Sequence, residues 1–174
     1  MAEANDNIVQ TPEVEEDFSE SFAEDDTVAL HVNNAFSDEL NTHQRIKNIL
    51  CGTIMSLDKG YARVNLLTTN EMIVDELGLI HSGFVFSAAD YAAVAAVNEE
   101  NIVVIGAKTS FLAPAKVGDL LEFEAKAKFE DSRKREITVT GKINDIKIFE
   151  GIFHAVVLEK HIFKTKIKNA RRDY

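Results

Sequence analysis

The segment that most constrains the fold runs from Gly83 to Asn98 and reads GFVFSAADYAAVAAVN. Six of its residues are alanine, the best helix former, and the run is longer than an ordinary strand. We therefore predict a helix over 83–98. Because this helix is apolar on almost every face, other parts of the chain must surround most of it. Its small alanine side chains would let a sheet approach closely.

The rest of the chain has the patterns of antiparallel strands. The stretch CGTIMSLDKGYARVNLLT alternates around Asp58-Lys59-Gly60, which is typical of a hairpin turn. In LLEFEAKAKFED, apolar residues alternate with Glu and Lys, so one face of that strand should contact water. EITVTGKIND and KIFEGIFHAVVLEK continue the series. Together these patterns predict an α+β fold, with a curved antiparallel sheet of five or six strands wrapped around the central helix.

An additional N-terminal helix is predicted over residues 35–50. Ser37 is suited to its N-cap, and acidic residues follow in what would be the first turn. Arg45 and Lys47 suit the last turn, where the helix dipole favours positive charge. We expect this helix to pack outside the sheet or to contact a partner.

The charge of the chain is concentrated in its tails. Residues 1–30 hold ten acidic residues and no Lys or Arg, so they account for the whole formal net charge of −10. We predict a disordered acidic tail over 1–30, a single domain over 31–162 and a basic tail over 163–174. The acidic tail cannot serve as a DNA-binding domain, and no nucleic-acid motif is present, so we expect no nucleic-acid partner. The basic tail either binds anions, contacts the acidic tail or is simply solvated.

Cysteine use and hydropathy indicate the compartment. The single Cys51 allows no intramolecular disulfide, which suggests a reducing compartment, and we predict a cytoplasmic protein. Nothing near Cys51 marks a nucleophile, so we interpret it as a small buried hydrophobe. The chain has no signal-peptide pattern and no run of about eighteen apolar residues, so we expect no membrane span. No metal-ligand spacing is present, and no metal is predicted.

One carboxylate, Asp90, lies inside the apolar helix, where it must be paired or used. The run from His81 to Asp90, HSGFVFSAAD, resembles the motif of hotdog-fold acyl-CoA thioesterases, most closely the small enzymes of the phenylacetate-degradation type. Their helix opens with His-Gly-Gly and continues with three residues, a hydroxyl residue, two small or apolar residues and the catalytic Asp. Only Ser82 departs from that pattern, at the first Gly. Downstream, GAKTSFLAPAKVGDLLEFEAKA is similar to the third strand and the turns of the family, so the resemblance covers roughly residues 50–160.

The same span is also similar to the effector-binding domain of the bacterial malonyl-CoA-responsive repressor of lipid synthesis. That domain binds acyl-CoA without hydrolysing it and is preceded by a connecting helix like the one predicted at 35–50. The chain also resembles a flagellum-co-regulated bacterial hotdog protein. No separate motif carries this third resemblance. The family resemblance implies a homodimer, and whether two dimers join stays open.

The resemblance also implies roles for the motif residues. Asp90 would orient or deprotonate the attacking water, and the N–H groups around Gly83 and Phe84 would polarise the thioester carbonyl. His81 would either reach the thioester or hold the loop before the helix. Ser87 would hydrogen-bond Asp90 or a helix carbonyl. The structural alternative for Asp90 is a buried carboxylate satisfied by hydroxyl or backbone groups across an interface.

Coenzyme A would enter as part of the substrate or ligand, and no separate cofactor is predicted. Its phosphates call for cations, and the candidates lie in predicted turns: Lys116, Arg133, Lys134 and Arg135. For any one of them taken singly, a solvated turn residue is the favoured interpretation. The side chain of Ser82, in place of the first Gly of the motif, would narrow the space for the thioester oxygen. Three interpretations therefore stay open: an acyl-CoA thioesterase, a non-catalytic acyl-CoA sensor acting through a protein partner, and a structural dimer whose ligand site has closed.

Overall fold

The computed structural model describes residues 36, 39–129 and 132–164, which fall within one compact unit. The predicted acidic tail lies outside the described residues, as does the predicted basic tail beyond residue 164. Among the described helices, none has both the length and the apolar character needed to cross a membrane.

Two α-helices and six strands form the described fold. In chain order they are α1 (Asn48–Cys51), β1 (Thr53–Asp58), β2 (Tyr61–Leu67), α2 (Ser82–Val97), β3 (Ile102–Phe111), β4 (Leu120–Phe129), β5 (Lys134–Ile143) and β6 (Ile146–Val157). Short 3-10 turns lie at Asn70–Met72 and Ile162–Lys164. The predicted central helix and the predicted series of strands are therefore confirmed.

The six strands make one antiparallel sheet in the order β1-β2-β4-β5-β6-β3. α2 contacts every strand of this sheet and packs against its inner face. The inner face carries the buried apolar residues of the alternating strands, among them Ala62, Val64, Leu66, Leu121, Phe123, Ala125, Ile137, Val139, Phe149, Phe153 and Ala155. The curved sheet around a central helix is the hotdog fold that the motif implied.

The predicted N-terminal helix is wrong in its extent. Only Asn48–Cys51 is helical, and the described residues before it form turns and bends. His43 adopts a φ of 50°, which is incompatible with a right-handed helix. The N–H of Asn41 instead donates to the side-chain oxygen of Asn98 at 2.7 Å, beyond the C-terminus of α2. The segment therefore covers the end of the central helix. The predicted N-cap, Ser37, lies outside the described residues.

β3 is an edge strand that pairs only with β6. Ile105 lies at an irregularity in this pairing and is 59% exposed, and Phe111 at the end of the strand is 48% exposed. An edge strand of ten residues with exposed apolar side chains is a ready surface for pairing with another chain.

Candidate functional site

The start of α2 is capped by a histidine side chain. His81 has extended backbone angles, and its Nδ1 accepts a hydrogen bond from the N–H of Gly83 at 2.9 Å. The His81 carbonyl accepts from the N–H of Phe84 at 3.0 Å, and the Phe84 ring meets the imidazole edge-on. Since Nδ1 acts as an acceptor, the neutral ring carries its proton on Nε2. His81 thus presents an N–H donor to solvent while it holds the helix start.

The backbone N–H groups at this helix start differ in whether they already donate a hydrogen bond. The N–H groups of Gly83 and Phe84, which the motif assigns to the thioester carbonyl, both donate to His81. The N–H of Ser82 has no hydrogen bond to any described residue. Ser82 itself is exposed at the first helical position. The open donors at this end of α2 are therefore the Ser82 N–H and the Nε2–H of His81.

The His81 ring lies so close to position 83 that only glycine fits there without moving the ring. A Cβ at this position would lie 2.6 Å from His81 Nδ1 and 2.9 Å from His81 Cε1. Any larger residue would push the imidazole out of its capping position. The glycine of the motif therefore serves the histidine of the motif, a relation that spacing along the sequence does not reveal.

Asp90 lies two turns further along α2 and is half-buried. Burial raises the pKa of its carboxyl above the ordinary value, because desolvation disfavours the charged form. Its carboxylate takes part in no hydrogen bond or ion pair with the other described residues. Among the described residues, then, Asp90 is partly desolvated without compensation, which is typical of a group that contacts a ligand or a partner.

Ser87 lies one helical turn before Asp90, and its hydroxyl contacts a thiol. Cys51 Sγ, at the end of α1, lies 3.0 Å from Ser87 Oγ. No sequence pattern predicts this contact, because the two residues are 36 positions apart. Cys51 was predicted to be a buried hydrophobe, whereas it is only partly buried and belongs to the surroundings of the motif helix.

The predicted phosphate-binding cations lie at opposite ends of α2. The backbone of Lys116 forms an isolated antiparallel β-bridge with Leu79, in the loop that leads into the helix. The turn with Arg133, Lys134 and Arg135 adjoins the other end of the molecule, where the Val157 N–H donates to the Arg133 carbonyl and the Leu158 N–H to that of Asn101. α2 is about 24 Å long at 1.5 Å per residue. The fold of the chain therefore brings Lys116 near the helix start and leaves the arginine turn distant from it.

The two arginine side chains of this turn already make contacts within the chain. Arg133 forms an ion pair with Glu159, and the Arg135 guanidinium lies 5.4 Å from the centre of the Phe129 ring. Lys116 uses its backbone N–H to bind the Asp119 carboxylate at 2.7 Å, which leaves its side chain exposed. Across the described ranges, no cluster of three or more His, Cys, Asp or Glu has the geometry to hold a metal ion.

Comparison with known proteins identifies a family model and relatives of this chain. A family model for the thioesterase superfamily matches residues 77–146, which include the whole His81–Asp90 motif. A protein of Saccharolobus solfataricus, provisionally named an esterase, is 32% identical over 118 residues, covering 66% of this chain and 73% of that protein. The methylthioribose-1-phosphate isomerase of Aquifex aeolicus is 41% identical over 120 residues, which are 69% of this chain but only 26% of the isomerase.

Solved structures share the fold. A sigma28-regulated virulence protein from Campylobacter jejuni is 46% identical, with a TM-score of 0.72 over 74% of this chain and 91% of that one. A protein from Streptococcus mutans, solved bound to acetyl-CoA, is 18% identical with a TM-score of 0.59, covers 67% and 95%, and is alike in fold alone.

Proposed function

The chain belongs to the thioesterase superfamily of hotdog-fold proteins. Within that family, we propose that it binds an acyl-CoA and hydrolyses the thioester, with Asp90 as the group that activates water. The observation that carries the proposal is the Asp90 carboxylate, which is half-buried, lacks a partner among the described residues and has a raised pKa. A desolvated carboxylate suits general-base chemistry on a carbonyl, and the open donors of a helix start suit stabilisation of the oxyanion.

The proposed reaction begins with water held against Asp90. The carboxylate takes a proton from the water as its oxygen attacks the thioester carbon. Ser82 and Asp90 of one chain lie about 12 Å apart along α2, so the donors that meet the thioester come from the helix start of a second copy. There the negative charge that develops on the carbonyl oxygen is stabilised by the two open donors, His81 Nε2–H and the Ser82 N–H, and by the positive end of the helix dipole. The C–S bond then breaks, the carboxylic acid forms, and the CoA thiolate receives the proton from Asp90.

We place this site in a homodimer. The exposed apolar edge of β3 supports a second copy pairing along that strand. The partial exposure of Asp90 and Ser87 supports a partner surface that completes the cavity for the acyl chain. The exposed side chain of Lys116, whose backbone pairs with Leu79 shortly before the helix start, would supply a cation for the CoA phosphates. The single half-buried cysteine is consistent with a reducing, cytoplasmic setting.

The test compares Asp90→Asn with wild type on a panel of acyl-CoAs, together with a binding titration. Free CoA is measured by chromatography, because a thiol dye would also react with Cys51. We expect turnover to fall about 100- to 10,000-fold, as when a general base is removed, while the dissociation constant changes little. Asp58→Asn is the matched control, since Asp58 is an exposed residue at the end of β1.

Each outcome of this test is informative. Turnover that disappears in Asp90→Asn and persists in Asp58→Asn supports a thioesterase. Binding without CoA release in the wild type excludes hydrolysis. If no acyl-CoA binds, the proposed function is wrong as a whole.

A non-catalytic acyl-CoA sensor is the second candidate function. It is favoured by the helix start itself, where Ser82 replaces the first glycine of the motif and the Gly83 and Phe84 N–H groups already donate to His81. Such a site could hold a thioester without stabilising its oxyanion well. Acyl-CoA binding that changes the affinity for a protein partner, with no release of CoA, would favour this function.

A further inference from the structure

The contact between Cys51 and Ser87 joins the N-terminal helix to the motif helix. Cys51 is the last residue of α1, and its Sγ lies 3.0 Å from Ser87 Oγ. Both residues are partly buried. Ser87 and Asp90 are three positions apart on α2, so their side chains project from the same side of the helix.

The position of Cys51 is determined by the residue that follows it. Gly52 has a φ of 90°, and a Cβ there would lie 2.6 Å from Val64 Cγ1 and 2.7 Å from the Asn65 carbonyl oxygen. Only glycine allows the backbone to press against β2 in this way. The thiol is therefore held beside α2 by a close backbone contact.

The thiol contact also accounts for the orientation of the Ser87 hydroxyl. A serine inside a helix commonly donates to the carbonyl four residues earlier, which here is that of Gly83. Ser87 makes no such bond among the described residues, and its hydroxyl faces Cys51. If the thiol donates, the Ser87 proton is left available to another acceptor. If the hydroxyl donates, the lone pairs of Ser87 Oγ are left available to a donor.

We propose that Cys51 is a positioning residue for the thioester site: it keeps the Ser87 hydroxyl off the helix backbone, on the side of Asp90, where the hydroxyl orients the bound thioester or the attacking water. α1 thereby forms part of the wall of the site. This inference rests on the proposed function and extends it to an element outside the family motif.

Four variants separate positioning from packing: Cys51→Ala, Cys51→Ser, Ser87→Ala and the double variant Cys51→Ala/Ser87→Ala. A neutral hydrogen bond corresponds to roughly a 3- to 10-fold effect, so we expect Cys51→Ala and Ser87→Ala each to lower kcat/KM by that factor. The double variant should lose no more than Ser87→Ala alone, because Cys51 acts only through the Ser87 hydroxyl. Cys51→Ser, which keeps a hydrogen-bonding group, should recover kcat/KM to within about twofold of wild type.

Alkylation provides a second readout that does not depend on turnover. The chain has a single cysteine, so the mass added by iodoacetamide reports on Cys51 alone. An acyl-CoA should slow this reaction, and Asp90→Asn is the background to use because the ligand would stay intact during labelling. Unmodified CoA and an acyl-CoA are compared, since only the acyl-CoA should protect if Cys51 lines the thioester end of the site.

The outcomes distinguish the two proposals. Protection of Cys51, together with the non-additive losses and the serine rescue, supports the positioning role. An acyl-CoA that binds without slowing alkylation, or a Cys51→Ala variant that lowers the melting temperature but leaves kcat/KM unchanged, overturns this inference and leaves the proposed function standing. If the wild type binds no acyl-CoA, both proposals fall together.

Discussion

The two halves of α2 lie in very different surroundings. From Tyr91 to Val97 every residue is buried, and beyond them Asn98 ends the helix in a left-handed conformation against the N-terminal segment. From Ser82 to Asp90, only Val85, Ala88 and Ala89 are buried. One half of this apolar helix therefore belongs to the buried core, and the other half lies partly at the surface.

The difference follows from what each half contacts. The second half packs inside the sheet, where small alanine side chains permit a close approach. The first half has a glycine that makes room for a histidine cap, a serine held by a thiol, and an aspartate with no partner among the described residues. Departures from good core packing are thus concentrated in the half that carries the family motif, as expected of a functional site.

After Asp90→Asn, the largest effect expected around the first half is at its N-cap, His81. His81→Ala removes both the cap and the Nε2–H donor, and turnover should fall about 100- to 1,000-fold if the ring stabilises the oxyanion. Asparagine is a good N-cap, so His81→Asn should restore the melting temperature without restoring turnover. The measurements are steady-state kinetics and thermal unfolding. If His81→Asn turns over as well as the wild type, the ring is only a cap.

The second half should respond to enlargement through stability. Ala93 is fully buried, and Ala93→Leu adds three carbons to a packed core, which should destabilise the fold by about 1–3 kcal/mol. For a chain of this size, that corresponds to a melting temperature lower by roughly 3–10 °C. Ser82→Leu makes a similar enlargement in the exposed first turn and should change stability by less than about 0.5 kcal/mol. Equal destabilisation by both variants would contradict the division of α2 into two halves.

The pH dependence of turnover tests the raised pKa of Asp90. As a general base, Asp90 must be ionised, so kcat/KM should fall about tenfold per unit of pH below its pKa. Because burial raises that pKa, the acid limb should lie above the ordinary aspartate value of 3.8. Rates measured across the acidic range, with enzyme checked for folding at each pH, give the inflection. An inflection at or below 3.8 would mean that Asp90 is stabilised in its charged form.

Local patterns predicted the parts of this fold that depend on local physics. The alanine-rich run predicted α2 to within one residue at each end, and Asp58-Lys59-Gly60 predicted the β1–β2 turn. In β4, the alternation correctly placed Leu121, Phe123 and Ala125 inside the sheet. The buried fraction of the side chains decreases toward the end of that strand. Phe129 is exposed there because the helix no longer covers it. Two positively charged side chains lie over its ring.

The sequence predicted less where contacts join distant residues. The helix expected at 35–50 was judged from its own caps and charges, whereas Asn41 binds Asn98, 57 positions away. The motif identified Gly83, but the need for glycine arises from the position of the His81 ring. Lys116 and the turn at Arg133–Arg135 were grouped by charge alone. Their separation depends on the direction of the strands, which composition does not encode.

The proposed role of Asp90 requires a functional carboxylate that is placed in the helix at a cost to stability. A folded-state pKa raised above the unfolded value means that ionised Asp90 destabilises the fold. This destabilisation is complete above the folded pKa and disappears as the pH falls below the unfolded one. The most direct measurement is therefore thermal unfolding of wild type and Asp90→Asn at pH 7 and at progressively lower pH. We predict a higher melting temperature for Asp90→Asn at pH 7, with a difference that shrinks on acidification; a lower melting temperature at pH 7 would mean that the carboxylate has a stabilising partner and would contradict the account.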